Sequence, residues 1–262
     1  MSNPIRILML GDVVGREGTS YLAAGRRLAN LRRSLGADFV IVNGENAAEG
    51  NGLLPGTADD LFDAGADVIT GGNHTWRRRE LTDMLDERAE LLRPANYPDA
   101  AAGHGWGIFP CGMKQLLVIN LIGCIEMEPV ASPFEAADRI LAAERGKFDL
   151  CVIDFHAEAT SEKIALARYL DGRVTAIAGT HTHVQTADAS VFPGGTGYIT
   201  DLGMCGSHAG VLGVKTEAIL KKFLVKTPVF FEPATGEVSG HGALFTVDPA
   251  SGLCTAAEGI TF

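Results

Sequence analysis

The sequence predicts an α/β protein in which two stacked β-sheets carry helices on their outer faces. Short apolar runs alternate with segments whose apolar residues recur at helical spacing through the first two thirds of the chain. Val, Ile and Leu fill the early runs with little polar alternation, which is typical of strands covered on both faces. No linker interrupts the 262 residues, so we expect one domain over residues 1–262.

The individual elements follow from this alternation in chain order. The predicted strands are Ile5–Leu10, Phe39–Asn43, Asp67–Thr70, Leu116–Ile122, Leu150–Phe155 and Val174–Ala178. The predicted helices are Thr19–Leu35, Ala58–Ala64, Arg78–Leu92, Pro133–Glu144 and Thr160–Leu170. After Gly179 the apolar runs shorten and one helix is predicted near Thr216–Leu224, so the C-terminal part should be rich in β-structure.

Composition excludes several classes of protein. Hydrophobic residues at 46% and charged residues at 21% are ordinary for a globular chain, and no apolar segment has the length of a membrane helix. The five cysteines form no C-x-x-C pair, which favours reduced thiols in a cytoplasmic protein. A formal charge of −10 disfavours long nucleic acids, whereas a small phosphorylated ligand is compatible if a metal reverses the local field. Whether the chain forms a homo-oligomer stays open.

Polar side chains that can bind metal follow five of the predicted strands. They occur in GDVVG after the first strand, NGEN after the second, GGNH after the third, DFH at the fifth and GTHTH after the sixth. If these strands are parallel, their carboxyl ends meet at one edge and bring the side chains together. The candidates are Asp12, Glu45, Asn46, Asn73, His74, His156, His181 and His183.

Each of these motifs alone has an ordinary explanation. An isolated H-x-H can be two exposed histidines at a strand end, G-N-H occurs by chance, and Asp12 could cap a helix. Five polar strand ends together are costly to bury unless metal or other partners satisfy them. Carboxylate, amide and imidazole ligands without thiolate suit manganese, iron or zinc. Because eight candidates are too many for one ion, a pair of ions about 3.5–4 Å apart that shares a carboxylate fits better.

The order of these motifs resembles that of the calcineurin-type metallophosphoesterases, and GNH at 72–74 and THTH at 180–183 are the most specific matches. The chain departs from the superfamily at Val14, where the D-x-H histidine is missing, and at Glu45, where Asp is usual. With GDVVG, NGENAA and GNHTW, it is similar to the YmdB-like phosphodiesterases from Leu10 to about Gly213. This resemblance implies the calcineurin-like fold, a four-layer α-β-β-α sandwich of two stacked mixed sheets.

The resemblance also implies roles for the candidate residues. It assigns to one metal ion Asp12, Glu45, Asn46 and His183. It assigns to a second ion Glu45, Asn73, His156 and His181, so that Glu45 bridges the pair. His74 is then the general acid or a transition-state stabiliser. Without the D-x-H histidine the first ion has more oxygen ligands, which favours iron or manganese over zinc.

The reaction implied is hydrolysis of 2′,3′-cyclic nucleotides, such as 2′,3′-cAMP, to nucleoside monophosphates by a metal-bridged hydroxide, with His74 protonating the departing oxygen. Two alternatives stay open. One is a broader phosphodiesterase or phosphomonoesterase that uses the same two ions. The other is a regulatory protein whose metal site senses or scaffolds, with incidental turnover. An intact His74 argues against a pure scaffold, because a binding-only site does not need a positioned acid.

Overall fold

The computed structural model describes residues 3–262, and its elements alternate between strand and helix. The strands are β1 (Ile5–Leu10), β2 (Asp12–Val13), β3 (Phe39–Asn43), β4 (Val68–Thr70), β5 (Trp106–Cys111), β6 (Lys114–Ile122), β7 (Leu150–His156), β8 (Ala176–Thr180), β9 (Ser190–Val191), β10 (Gly197–Ile199), β11 (Met204–Ser207), β12 (Val238–Ser239), β13 (His241–Val247) and β14 (Cys254–Thr261). The helices are α1 (Gly15–Ala23), α2 (Arg27–Leu35), α3 (Pro55–Ala64), α4 (Thr82–Glu87), α5 (Pro133–Ala143), α6 (Thr160–Tyr169) and α7 (Thr216–Val225).

Two large mixed sheets form the centre of the molecule. The first has the strand order β14-β13-β1-β3-β4, in which β1, β3 and β4 are parallel and β13 runs antiparallel to both of its neighbours. The second has the order β5-β6-β7-β8-β10-β9, in which the four inner strands are parallel and the two edge strands antiparallel. A small third sheet joins β12, β11 and β2.

Side-chain alternation along the strands builds the four layers. Ile7 of β1 belongs to the apolar cluster between the sheets, which also contains Val152 of β7. Its neighbour Leu8 points to the opposite face and belongs with Leu61 of α3 to the cluster under the first helical layer. The outer face of the second sheet forms a third cluster with α5 and α6. The predicted α-β-β-α sandwich of two stacked mixed sheets is therefore confirmed.

The long helix predicted over Thr19–Leu35 is wrong in one respect, because the structure divides it. A 3₁₀ turn over Ala24–Arg26 separates α1 from α2, and Gly25 and Arg26 have φ values of 59° and 56° there. The apolar spacing continues across this break, so periodicity alone could not reveal it.

The helix predicted over Arg78–Leu92 is shorter than expected. A 3₁₀ turn precedes α4, which ends at Glu87, while Leu91 forms an extended bridge with Ile69 and is buried beside the first sheet. The edge strand β5 was not predicted, and it contains Pro110, a residue that a sheet tolerates at its edge. Among residues 3–262 no helix combines the length and apolarity needed to cross a bilayer.

Candidate metal centre

The carboxyl ends of parallel strands from both large sheets meet in one cleft. The loops after β1, β3 and β4 reach it from the first sheet, and the ends of β7 and β8 reach it from the second. All eight side chains that the sequence predicted are linked there by pairwise polar contacts, and we call them the ligand cluster. They are Asp12, Glu45, Asn46, Asn73, His74, His156, His181 and His183.

Glu45 occupies the centre of the ligand cluster and is fully buried. Its Oε1 lies 2.7 Å from Asn46 Nδ2 and 3.1 Å from His74 Nδ1. Its Oε2 accepts the backbone N–H of His74 at 2.9 Å and lies 3.3 Å from His156 Nε2. The two carboxylate oxygens therefore face different halves of the cluster.

The first half contains Asp12, Asn46 and His183. His183 Nε2 lies 3.3 Å from Asn46 Nδ2 and 3.6 Å from Asp12 Oδ1. Asp12 Oδ2 accepts the backbone N–H of His181 at 3.0 Å, whereas Asp12 Oδ1 is buried and has no hydrogen-bond partner within residues 3–262. Burial raises the pKa of Asp12, but His183 and His156 together lower it more, so the net pKa is below its ordinary value. A buried anionic oxygen without a donor suits a cation.

The amide of Asn46 is oriented away from the arrangement that a metal ligand needs. Its Nδ2, a donor only, faces Glu45 and His183. Its Oδ1, the atom that can bind a metal ion, instead lies 2.8 Å from His74 Nδ1. Asn46 thus lies in the predicted place, and its part in binding metal stays a prediction.

The second half contains Asn73, His156 and His181. His156 Nε2 lies 3.0 Å from Asn73 Oδ1 and 3.0 Å from His181 Nδ1. The side chains of Glu45, His156 and His181 each offer a ligand atom, and these atoms all lie within 4.8 Å of one another. Oxygen and nitrogen donors at this spacing are suited to one metal ion.

A hydrogen-bonded chain behind His156 determines which nitrogen faces the cluster. His156 Nδ1 donates to Thr180 Oγ1 at 3.0 Å, and the Thr180 hydroxyl donates to Asp154 Oδ1 at 2.7 Å. Asn43 Nδ2 also donates to this carboxylate, at 3.0 Å. With Nδ1 held as the donor, a bound metal ion would replace any proton on Nε2 and take its lone pair, as in metal sites whose histidines are oriented from behind.

The histidines of the H-x-H motif are oriented in the same way. His181 Nε2 lies 3.1 Å from the carboxylate of Glu158, and His183 Nδ1 donates to the carbonyl of Leu212 at 3.3 Å. In each ring the other nitrogen faces the cluster. Three imidazole nitrogens therefore converge on two buried carboxylates.

This convergence favours a positive charge at the cluster. Burial lowers the pKa of His156, but Glu45 and Asp12 raise it more, to about 9. Burial raises the pKa of Glu45, but His156 and His74 lower it to well below its ordinary range. The unpartnered Asp12 Oδ1 and the three imidazole nitrogens that face the cluster therefore fit bound metal ions, because metal ions can bind all of these ligand atoms together.

The backbone of the cluster is held in unusual conformations. A Cβ at Gly72 would lie 2.3 Å from Glu45 Oε2, so the glycine of GNH is required by close packing. His181 and His183 have φ values of 101° and 64°, which L-residues rarely adopt. Asp201 steadies this loop, since it accepts the N–H of Thr182 at 3.1 Å.

Residues behind the cluster were missed by the sequence analysis. Asp201 also pairs with Lys163 at 2.7 Å, and both side chains are buried. Asp154 could have been noticed, because it lies two positions before His156 and so on the same side of β7. Nothing in the sequence connects Lys163 of α6 with Asp201, because their contact depends on how the helix packs on the sheet.

His74 differs from the three other histidines of the cluster, because only one of its two ring nitrogens has a polar partner within the described part of the chain. Its Nδ1 contacts two acceptors, Asn46 Oδ1 and Glu45 Oε1, so this nitrogen carries a proton. No hydrogen bond joins its Nε2 to any residue between 3 and 262. The ring lines a cavity of about 530 Å³, of which Glu45, His181 and His183 also form part. His74 thus connects the buried cluster with the cavity.

Two mixed sheets stacked face to face, with carboxylate, amide and imidazole groups at their facing strand ends, define a metallophosphoesterase, a hydrolase class that binds divalent metal ions. The sequence model of the YmdB-like protein family matches residues 8–260, and the chain belongs to this family. The predicted resemblance is therefore confirmed.

Individual relatives agree with this assignment. The chain is 44% identical over 244 residues to the 2′,3′-cyclic-nucleotide 2′-phosphodiesterase of Bacillus subtilis, covering 93% of this chain and 92% of the relative. The crystal structure of a hypothetical protein from Thermus thermophilus superposes with a TM-score of 0.92 at 39% identity, over 98% of this chain and 99% of that one. The crystal structure of a novel phosphatase from Mycoplasma pneumoniae superposes with a TM-score of 0.93 at 34% identity, over 100% of this chain and 94% of that one.

Proposed function

We propose that this protein is a metal-dependent phosphodiesterase that opens 2′,3′-cyclic nucleotides, such as 2′,3′-cAMP, to nucleoside monophosphates. The observation that carries the proposal is the position of His74, whose Nδ1 is hydrogen-bonded to the cluster while its Nε2 has no hydrogen-bond partner among residues 3–262 and its ring lines the cavity. This is the arrangement that a general acid needs and a metal ligand does not. The name of the 44% identical Bacillus subtilis relative supports the choice of substrate.

We assign the ligand cluster to two metal ions, with iron or manganese favoured by its oxygen content. The first ion takes Asp12, Glu45, Asn46 and His183. The second takes Glu45, Asn73, His156 and His181. The two oxygens of Glu45 support the bridging assignment, because each faces a different half. Bound ions would polarise the phosphoryl oxygens and lower the pKa of water, which provides the nucleophile.

The residues of the chain then supply orientation and proton transfer. Glu45 Oε1 and Asn46 Oδ1 hold His74 Nδ1–H, so the proton available to the substrate is the one on Nε2 of the imidazolium. One proton of the attacking water passes to solvent, its oxygen forms a new bond to phosphorus, and one bond between phosphorus and a ribose oxygen breaks. The Nε2 proton passes to that oxygen, which leaves as the ribose hydroxyl.

Other properties of the chain agree with a small intracellular substrate. All five cysteines are free thiols and four of them are buried, which supports a cytoplasmic location. The formal charge of −10 disfavours long polyanions, while a cyclic nucleotide carries one phosphate that the ions can neutralise. We retain a single domain over residues 1–262 as part of the proposal.

Turnover of matched substrates tests this function. We would remove metal by chelation, reload with Mn²⁺ or Fe²⁺, and compare 2′,3′-cAMP with bis(p-nitrophenyl) phosphate and p-nitrophenyl phosphate. We expect about two bound ions per chain, no activity without metal, and the highest kcat/KM for 2′,3′-cAMP. A higher kcat/KM for the monoester would favour a broad phosphatase. Two bound ions without turnover of any ester would favour a regulatory metal protein.

A further inference from the structure

The cavity that His74 lines is bounded by apolar side chains as well as by the polar ligand cluster. Its mouth is lined by apolar side chains from two segments, and we call these five residues the apolar rim: Leu212, Val214, Phe230, Phe231 and Pro233. Phe230 is 85% exposed, and Phe231 and Leu212 are each 45% exposed. Large apolar side chains that are exposed together usually mark a binding surface.

The two segments of the apolar rim are held against each other. Val214 forms an extended bridge with Pro233, the Lys215 N–H donates to the carbonyl of Glu232 at 2.9 Å, and the Ala234 N–H donates to the carbonyl of Gly213 at 2.8 Å. Leu212 also supplies the carbonyl that orients His183. The two segments of the rim are therefore joined to each other and, through Leu212, to the ligand cluster, so their backbones have a defined position beside the reacting groups.

Hydrolysis of a phosphate ester does not by itself need an apolar wall. Five residues of the ligand cluster, His74 among them, line the same cavity as the apolar rim, so a substrate whose phosphate the cluster binds can place the rest of the molecule against the rim. The flat ring of a phenylalanine stacks on a nucleobase without reading its hydrogen-bonding edge. A volume of about 530 Å³ lies within the range of small-ligand pockets, which is about 300–1,000 Å³.

We propose that Phe230 and Phe231 of the apolar rim form a subsite that stacks on the nucleobase of the substrate. This inference rests on the proposed function, since it concerns the part of a cyclic nucleotide that the ligand cluster does not reach. The exposed apolar side chains of α7, such as Phe223 and Leu224, do not line this cavity. They provide an internal comparison on the same surface of the protein.

The test compares two substrates that share the reacting ring. One is 2′,3′-cAMP and the other is methyl riboside 2′,3′-cyclic phosphate, which lacks the base. We expect Phe230→Ala and Phe231→Ala to raise KM for 2′,3′-cAMP by roughly 5- to 150-fold, the range that base stacking on an aromatic ring supplies. The kinetics of the base-free ester should not change. Phe230→Tyr should keep the wild-type values, because it retains the ring.

Phe223→Ala is the matched control, because Phe223 is 62% exposed and lies outside the cavity. It should leave both substrates unaffected. An equal loss with both substrates in Phe230→Ala would overturn the subsite, as would a change of oligomeric state in sedimentation, which would assign the rim to contact with a second copy. Equal kcat/KM values of the wild-type protein for the two esters would also overturn it.

Equilibrium binding separates this inference from the proposed function. Calorimetry with 2′,3′-cAMP and the base-free ester on metal-loaded His74→Ala protein, whose turnover should be slow, reports the subsite apart from catalysis. Base-dependent binding that a further Phe230→Ala change abolishes, together with a wild-type protein that hydrolyses neither ester, would reject the proposed reaction and retain the base subsite. Turnover of both esters with no dependence on the base would reject the subsite and retain the reaction.

Discussion

The ligand cluster and the apolar rim lie in one cavity but are built in opposite ways. The side chains of Asp12, Glu45 and His156 are fully buried, and every polar atom of these three except Asp12 Oδ1 has a partner. In the rim, Phe230 is 85% exposed. Buried polar groups are costly unless they are paired, so the cluster permits few arrangements. Substitution of an exposed apolar ring costs much less free energy of folding, so the residues of the rim can vary to suit a ligand.

The comparison extends to the residues behind each region. The cluster is supported from below by Asp154, Thr180 and the buried pair of Lys163 and Asp201. The rim is supported by a few backbone hydrogen bonds between two loop segments. We therefore expect substitutions in the cluster to change metal binding and catalysis strongly, and substitutions at exposed apolar positions to change stability little.

Glu45→Gln should have the largest effect, because it keeps the shape of the side chain but removes the charge shared by both halves. We expect both ions to be lost and activity to fall to the level of metal-free protein. Elemental analysis and kinetics on reloaded protein measure this. Glu87→Gln is the control, since Glu87 is exposed at the end of α4 and lies outside the ligand cluster and its cavity. Full activity with two tightly bound ions in Glu45→Gln would exclude a bridging role.

His74→Ala should come next. Loss of a general acid lowers kcat on the order of 10²–10⁴-fold, and the metal content should stay near that of the wild-type protein. Single-turnover kinetics with metal analysis on the same sample test both statements. If the variant loses an ion, His74 is a metal ligand and not the general acid.

Thr180→Val removes the hydroxyl that joins His156 to Asp154 while it keeps the volume of the side chain. Loss of such an outer partner weakens metal affinity by about 10–100-fold. Competition with a fluorescent chelator gives the affinity directly. Thr182→Val is the control, because no hydrogen bond of the Thr182 side chain occurs within residues 3–262. Equal affinities in the two variants would show that the chain behind His156 has no part in metal binding.

Leu224→Ala should have the smallest effect. Leu224 is 80% exposed on α7, so the free energy of unfolding should change by no more than about 0.5 kcal/mol. Leu61→Ala at a fully buried position should cost about 2–5 kcal/mol by the same urea titration. A large loss in Leu224→Ala would show that this surface is covered in solution, and the contrast with the buried cluster would no longer hold.

The sequence by itself determined where the main strands lie and which side chains end them. The apolar runs at Ile5–Leu10 and Phe39–Asn43 coincide with β1 and β3, because a strand buried on both faces needs an uninterrupted apolar run. The eight candidate ligands could be found because parallel strands deliver their carboxyl ends to one edge. The apolar runs and the polar strand ends are both local patterns, so they can be recognised without knowing how the helices and sheets pack together.

The tertiary structure alone decided how these groups are oriented. Asn43 lies 3.0 Å from Asp154 across 111 residues of sequence, and the contact arises only where the two sheets meet. The sequence marks His74 and His156 alike as histidines after strands, yet one directs Nδ1 and the other Nε2 at the cluster. The exposed Phe230 sits beside the cavity only because the Val214 and Pro233 segments pair. Hydrogen bonds between distant residues set these orientations, and no local pattern of residues encodes them.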